Sequence, residues 1–361
     1  MGAHNDRAGK RASHVTIRSI AAMAQVSTGT VSKVLNDAPG VGPETRRRIR
    51  KLIRDLNFHP DASAQSLAGR PTYNIGMVIP HTGSYSMASA YWPILLTSIT
   101  DQAAARNRNV LLSTARSEED VDSAYRSILR GRRVDGLIVG AEQLGARQLG
   151  ELLLKEFPFV AVGKGAMLTP YWVDVDNAGG AAAMTRHLVD LGHRRIAMLA
   201  GPHDFPAVKE RVDGFTAVMT EAGLEPCVQH CAYHTEAAGD QAAEQLRKLL
   251  CSSSQPLALF VAAGDLVMPA LRVAAELGRE IPSDLALVSF DDHPFFDHFS
   301  PAITAVSQPI HELGSAATEL LFAVMDGLEP EPPSRVLPTR LVVRASCGAV
   351  QPTNATSATH A

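Results

Sequence analysis

The sequence predicts an α/β protein in two parts: a small all-α head carrying a helix-turn-helix, then a larger body built on parallel sheets. Three observations carry that prediction. Residues 15–36 hold two short helical patterns joined by a tight connection. From Tyr73 onward, apolar runs of strand length alternate with helical stretches. Charge is also divided unevenly: residues 1–70 carry 12 Lys+Arg against 5 Asp+Glu, and the remainder 22 against 32, although the whole chain stands at only −3. A basic head on an acidic body is the footprint of nucleic-acid binding confined to one end.

Length and composition set the outer limits. A chain of 361 residues predicts two or three domains. With 45% hydrophobic and 20% charged residues it can bury a large core. Four cysteines, scattered at 227, 231, 251 and 347, predict no disulfide framework and fit a reducing compartment. No apolar run reaches membrane-spanning length, and the opening MGAHNDRAGKRASH lacks the apolar core of a signal peptide. The expectation is a cytoplasmic protein without membrane contact.

Residues 1–14 are polar and basic and predict a disordered arm. The first helix puts Ile17, Ile20, Ala21 and Ala24 on one face. Gln25 and Val26 make the connection, and Ser27 is a good N-cap for the next helix. That second helix turns Val31, Val34 and Leu35 inward and leaves Thr28, Gly29, Ser32, Lys33 and Asn36 outward. A helical hairpin inside an ordinary core has no need for an outward face of only small polar and basic groups, whereas base edges in a major groove do. A third helix begins near Pro43, a favoured first-turn residue, and Ile49, Leu52, Ile53 and Leu56 close a three-helix core. Its Arg/Lys run reads as a solvated face with some members at phosphate distance.

In the body, strands are predicted at 75–79, 110–112, 136–139, 159–162, 196–199, 259–261 and 285–288. Helices are predicted at 94–105, 121–129, 178–191, 208–222, 238–250 and 266–277. Alternation of this kind means parallel sheets with crossover helices. No GxGxxG, GxxxxGK[ST] or GxSxG is present, so the common nucleotide-binding and hydrolase readings lack their motifs.

Thr16-Ile17 through Ala21, Ala24, Val26-Ser27 and Thr30-Val31-Ser32-Lys33-Val34-Leu35-Asn36 resemble the headpiece of the LacI/GalR family of transcriptional regulators, and the resemblance runs on to the C-terminus. Ser19, Gln25 and Lys33 depart from it, standing where the family usually has Asp, Gly and Arg. The resemblance implies a headpiece at 15–60, a hinge helix or linker at 61–72, a two-lobed periplasmic-binding-protein-like (type I) effector domain at 73–350, and a tail at 351–361. Within the effector domain it implies one lobe at 73–174 plus 307–332 and another at 175–306 plus 333–350. Leu67 matches the leucine that such proteins wedge into the minor groove, where it kinks the duplex. The DNA-contacting set is then Thr16, Ser27, Thr28, Gly29, Thr30, Ser32, Lys33, Asn36, Ala64 and Leu67. The implied partner is double-stranded DNA with a near-palindromic operator, bound by a homodimer. The tail QPTNATSATHA has no leucine heptads, so no coiled-coil tetramer is expected.

Ligands of open parallel sheets bind beyond the carboxyl ends of strands. There the resemblance places Tyr91 and Trp92 as aromatic walls, Arg211 as a donor fork, Asp291 as an acceptor for hydroxyls, and Gln308; Lys164 and Asp265 lie in the same region. Asp176-Asn177 resemble a family pair at a lobe crossover, where a helix N-cap is an equally good role. Gly264 and Gly163 replace a frequent Asn and Asp, and with Lys164 and Arg211 nearby a sugar acid or sugar phosphate becomes a candidate among sugar-like effectors. No cofactor is expected. Cys227, His230, Cys231 and His234 invite a zinc reading, but alternation along a strand turns Cys231 away from both histidines, and no metal is expected. The competing functions are a sugar-binding protein and a sugar-modifying enzyme, the latter using Asp291, Asp292 and His293 as acid and base.

Overall fold

The computed structural model describes residues 15–35, 37–56, 58, 71–79, 90–114, 118–140, 146–164, 169–231, 238–251 and 257–349. The chain divides into two compact units, Met1–Thr72 and Tyr73–Ala361.

The first unit is three helices, α1 (Ile17–Met23), α2 (Thr28–Leu35) and α3 (Pro43–Asp55). They close on one core of Ile20, Ala21, Ala24, Val31, Val34, Ile49 and Phe58. Those positions recur at helical spacing, so each helix offers a single apolar stripe to the other two. The expected hinge segment, residues 61–70 with Ala64 and Leu67, lies outside the described residues, as does Asn36.

The second unit contains two six-stranded sheets. The first lobe is built from β1 (Asn74–Ile79), α4 (Tyr91–Ala105), β2 (Asn109–Thr114), α5 (Glu118–Gly131), β3 (Gly136–Gly140), α6 (Ala146–Leu154), β4 (Phe159–Val162) and β5 (Trp172–Val175). The chain then crosses over. The second lobe follows with α7 (Asn177–Asp190), β6 (Ile196–Ala200), α8 (Pro206–Glu221), β7 (Cys227–His230), α9 (Ala238–Cys251), β8 (Leu257–Val261), α10 (Val267–Glu276), β9 (Leu285–Phe290) and β10 (Thr304–Ser307). A second crossing returns α11 (Ile310–Met325) and β11 (Ser334–Leu337) to the first lobe, and a third sends β12 (Arg340–Val342) back.

Strand order is β11-β5-β4-β3-β1-β2 in one sheet and β12-β10-β9-β8-β6-β7 in the other, every pair parallel except β10 with β12. Strands β3, β4, β6, β8 and β9 are buried along their whole length. Helices therefore cover both faces, which is why these strands read as unbroken apolar runs rather than alternating ones. Each lobe accordingly holds two clusters of buried side chains. Where α7 and α8 meet, Gly214 is needed: a Cβ there would stand 2.2 Å from the Ala178 carbonyl oxygen.

One boundary differs from the sequence expectation. The family resemblance implies that residues 333–337 belong to the second lobe, yet β11 pairs with β5 in register from Ser334↔Trp172 to Leu337↔Val175. The third crossing therefore falls at Pro338 and Thr339. The four residues SRVL are a short edge strand, half-buried and partly polar, with no apolar run to mark the sheet they join.

Candidate functional site

On the head, α1 opens with a capping box. The Ser19 amide donates to the Thr16 hydroxyl at 3.2 Å and the Thr16 amide to the Ser19 hydroxyl at 2.7 Å. Ser19 thereby closes the box as its third helical residue. Gln25 takes φ = 52°, the left-handed turn geometry that suits glycine. Ser27 caps α2 through its hydroxyl, which accepts the Thr30 amide at 3.1 Å. Beyond that cap Thr28, Gly29 and Lys33 are exposed, Thr30 and Ser32 are half-buried, and Val31 and Val34 are buried on the opposite side. Several arginines of the α3 run serve the head itself, Arg50 among them through Asp37. Arg48 donates to the Ala24 carbonyl at 2.9 Å, and Arg46 pairs with Asp37 at 3.0 Å.

In the body, Lys164, Asp265, Asp291 and Gln308 follow the carboxyl ends of β4, β8, β9 and β10, and Arg211 reaches the end of β8 from α8. Asp291 follows β9 with φ = 77°, and its carboxylate accepts the Gly264 amide at 3.2 Å and the Gln308 side-chain amide. Gln308 lies in the second lobe crossing, so this carboxylate is tied to a hinge segment. Burial, with Asp291 close by, pushes the Asp265 carboxyl up to about 6.

Arg211, on α8, is only 8% exposed. Its Nε donates to Asn177 Oδ1 at 2.9 Å and Nη1 to the Ala262 carbonyl at 2.7 Å, while the guanidinium carbon stands 3.8 Å from the Phe290 ring centroid. Asn177, 1% exposed, in turn donates to Asp174 at 3.2 Å. Asp174 also accepts the Lys164 amide at 2.7 Å, and burial raises its carboxyl above the usual range. Asp176 caps α7 through the Gly179 amide at 2.8 Å, so the two members of this pair divide the work: one caps, the other holds the arginine. The Lys164 ammonium reaches the opposite lobe, pairing with Glu210 at 2.9 Å. Tyr91 and Trp92 open α4, half-buried against the first-lobe core and edge to face at 5.4 Å.

Asp291, Gln308 and the Gly264–Asp265 turn thus form one group, and Arg211 with Asn177 and Asp174 a second. Sequence reasoning placed Asn177 at the lobe crossover without its arginine partner, and missed Asp174 and Glu210. Glu210 adjoins Arg211 in the sequence, but its partner is 46 residues away and no local pattern marks it.

Asp292 has a different role. Both its oxygens are engaged by the buried Arg344, at 2.9 and 3.2 Å, and Asp297 takes the same guanidinium's Nε. His293 accepts the Phe295 amide at 3.3 Å and stacks on the Phe295 ring. The Asp291-Asp292-His293 acid–base set is therefore split, because Asp292 anchors the segment after β12. Among the described residues no group of three or more His, Cys, Asp or Glu is placed to hold a metal. Cys231 Sγ donates instead to the Ala200 carbonyl, and His234 lies outside the described residues.

A capped recognition helix followed by two sheets with polar groups converging at their strand ends defines a DNA-binding regulator with a ligand-binding body. Residues 16–61 match the family described as bacterial regulatory proteins, lacI family, and residues 185–347 match the periplasmic binding protein-like domain. The chain is 31% identical over 336 residues to the HTH-type transcriptional regulator CelR of Thermobifida fusca, covering 92% of this chain and 98% of that one. It is 30% identical over 329 residues to the ribose operon repressor of Halalkalibacterium halodurans, covering 91% and 96%. The chain belongs to the lacI family of bacterial regulatory proteins and is a DNA-binding transcriptional regulator.

Solved structures agree in fold. A CelR–cellobiose complex superposes with a TM-score of 0.69 at 30% identity, covering 92% of this chain and 99% of that one. The lac repressor dimer bound to operator and the anti-inducer ONPF gives 0.77 at 25% identity, covering 93% and 99%. No described helix is long and apolar enough to cross a membrane.

Proposed function

We propose that this protein is a repressor acting as a homodimer on a near-palindromic operator, under the control of a small sugar-like effector. The observation that carries the DNA half is α2: one side of it is buried at Val31 and Val34, while Thr28, Gly29 and Lys33 stand in solvent. Thr16, Ser27, Thr30 and Ser32 flank that face and, with Asn36, Ala64 and Leu67, complete the proposed DNA-contacting set. Lys33 brings a point charge rather than a planar fork, which suits phosphate or a single base acceptor.

Tyr91, Trp92, Arg211, Asp265, Asp291 and Gln308 are the proposed effector contacts; Lys164, grouped with them by the sequence, instead turns its ammonium to Glu210. The relatives' names support a sugar: a ribose operon repressor, and CelR in complex with cellobiose. Charge supports a neutral one. The Lys164 ammonium is met by Glu210, Arg211 is held by Asn177, a carbonyl and an aromatic face, and Asp265 and Asp291 repel each other. A sugar acid, the candidate suggested by Lys164 and Arg211 in the sequence, gains little in such surroundings. Cellobiose and glucose should therefore bind more tightly than glucuronate in calorimetry, and the reverse order would overturn the charge argument.

Purified protein titrated onto its own upstream duplex across a salt series, with a scrambled duplex as control, tests the regulator reading. Selective binding that weakens steeply with salt is the expected outcome. Absence of binding to either duplex at low salt would remove the headpiece argument, and turnover of any bound sugar would revive the enzyme reading.

A further inference from the structure

Two neighbours on α8 look in different directions. Arg211 turns inward to Asn177 and the end of β8, and Glu210 crosses the cleft to Lys164, which follows β4 in the other lobe. The ammonium also stands 5.6 Å from the centroid of Trp172 on β5. The Lys164 backbone is fixed as well, since its amide donates to Asp174, which accepts Asn177, which accepts Arg211. One loop of the first lobe is thus joined to one helix of the second by two routes. One is buried and runs past the first lobe crossing; the other is a half-exposed ion pair, its side chains 39% and 27% exposed. The buried route runs through Asp174 and Asn177, on either side of the crossing, where the chain itself already joins the lobes. The ion pair can open, because water can take over both charges at modest cost.

We propose that Lys164 and Glu210 form a clamp across the cleft that positions Arg211 and sets the separation of the lobes, Lys164 acting through Glu210 and not on the effector. The inference rests on the reading of Arg211 as an effector contact. Its chemistry is specific: a cation from one lobe and a carboxylate from the other, adjacent to the contact residue. An opening equilibrium governed by one such pair shifts by roughly two- to five-fold when the pair is removed. An effector that needs the closed cleft then loses affinity by that factor without losing any contact.

The test needs no effector. Trp172 reports on the clamp, and the signal is identified as its own by its loss in Trp172→Phe. In the full-length protein Glu210→Gln leaves Lys164 in place but releases it. It should shift Trp172 emission, increase the radius of gyration in small-angle scattering, and remove the dependence of emission on ionic strength that the intact pair should give wild type. Lys164→Met should match it in scattering. The exchanged pair Lys164→Glu with Glu210→Lys should restore wild-type scattering, which a purely local packing defect would not allow.

The proposal is overturned if Glu210→Gln leaves emission and scattering unchanged. It is equally overturned if the exchanged pair, folded by circular dichroism, stays as open as the single variants. Binding of cellobiose lost in Lys164→Met but retained in Glu210→Gln would make Lys164 a direct contact and defeat the proposal. Failure of wild type to bind its operator would defeat the regulator reading and leave these lobe measurements standing.

Discussion

Asp265 shows what a single residue's surroundings imply for the folded chain. Its carboxyl, pushed up to about 6 by burial and then by Asp291, holds its proton in the native state where an unfolded chain, at about 4, has already lost it. Between those values the native state binds more protons, so Asp265 withdraws stability as pH rises through the window. Below it the group is neutral in both states and costs nothing. Asp265→Asn should flatten that slope, gaining on the order of 1–2 kcal/mol relative to wild type above pH ~6 and nothing below pH ~4. Melting temperatures of the two proteins across that range decide it: parallel curves would mean that the burial inferred for Asp265 has no thermodynamic weight. Single residues were unevenly legible. Ser27 as a cap and the αL strain at Gln25 follow from local chemistry, and both are observed. The Ser19–Thr16 capping box is equally local, but it pairs two hydroxyls where the usual box has Glu or Gln as its third residue, so the common pattern does not mark it. Asn177 stood out only as a crossover residue, and Glu210 not at all, because the partner of each is one that only the folded lobes bring near.

At the level of elements, the buried parallel strands announced themselves by continuous apolar runs, and the helices between them by their spacing. The elements that escaped were those whose sequence carries no period: β11, a four-residue edge strand, and the point where the chain recrosses after it. The segment following β12 is held by a feature equally silent in sequence. Arg344 spans Asp292 and Asp297 and donates to the Ile303 carbonyl, joining the C-terminal segment to the connection between β9 and β10. Removing one partner of a buried pair leaves the other charge uncompensated, a larger loss than the pair's own net worth. Arg344→Met should therefore cost about 3 kcal/mol. Denaturant unfolding should show the midpoint falling with the slope unchanged; a loss under about 1 kcal/mol would reduce the cluster to an ordinary surface pair.

For the whole molecule, the decisive step is how two copies would come together on DNA. A headpiece reading one half-site gains affinity and selectivity only when a second is held at fixed spacing, so the effector bodies must pair. The second lobe offers a surface suited to that. Met268 on α10 is 60% exposed and Phe295 after β9 is 63% exposed, although their neighbours Val267, Ala270 and Phe296 belong to one buried cluster. Two large apolar side chains left in solvent over the same core cluster mark an interface more often than they mark chance. A two-fold contact would bury each against its symmetry mate and so count every substitution twice. Phe295→Asp should accordingly weaken self-association at least ten-fold in sedimentation equilibrium, while Asp placed at Leu154, 88% exposed in the other lobe, should leave it unchanged. Operator affinity should fall with Phe295→Asp and recover as protein concentration is raised, because mass action restores the dimer while each headpiece is untouched. If affinity fell without any change in association, the lesion would lie in the head's coupling to the body. The second lobe would then not be where the copies meet.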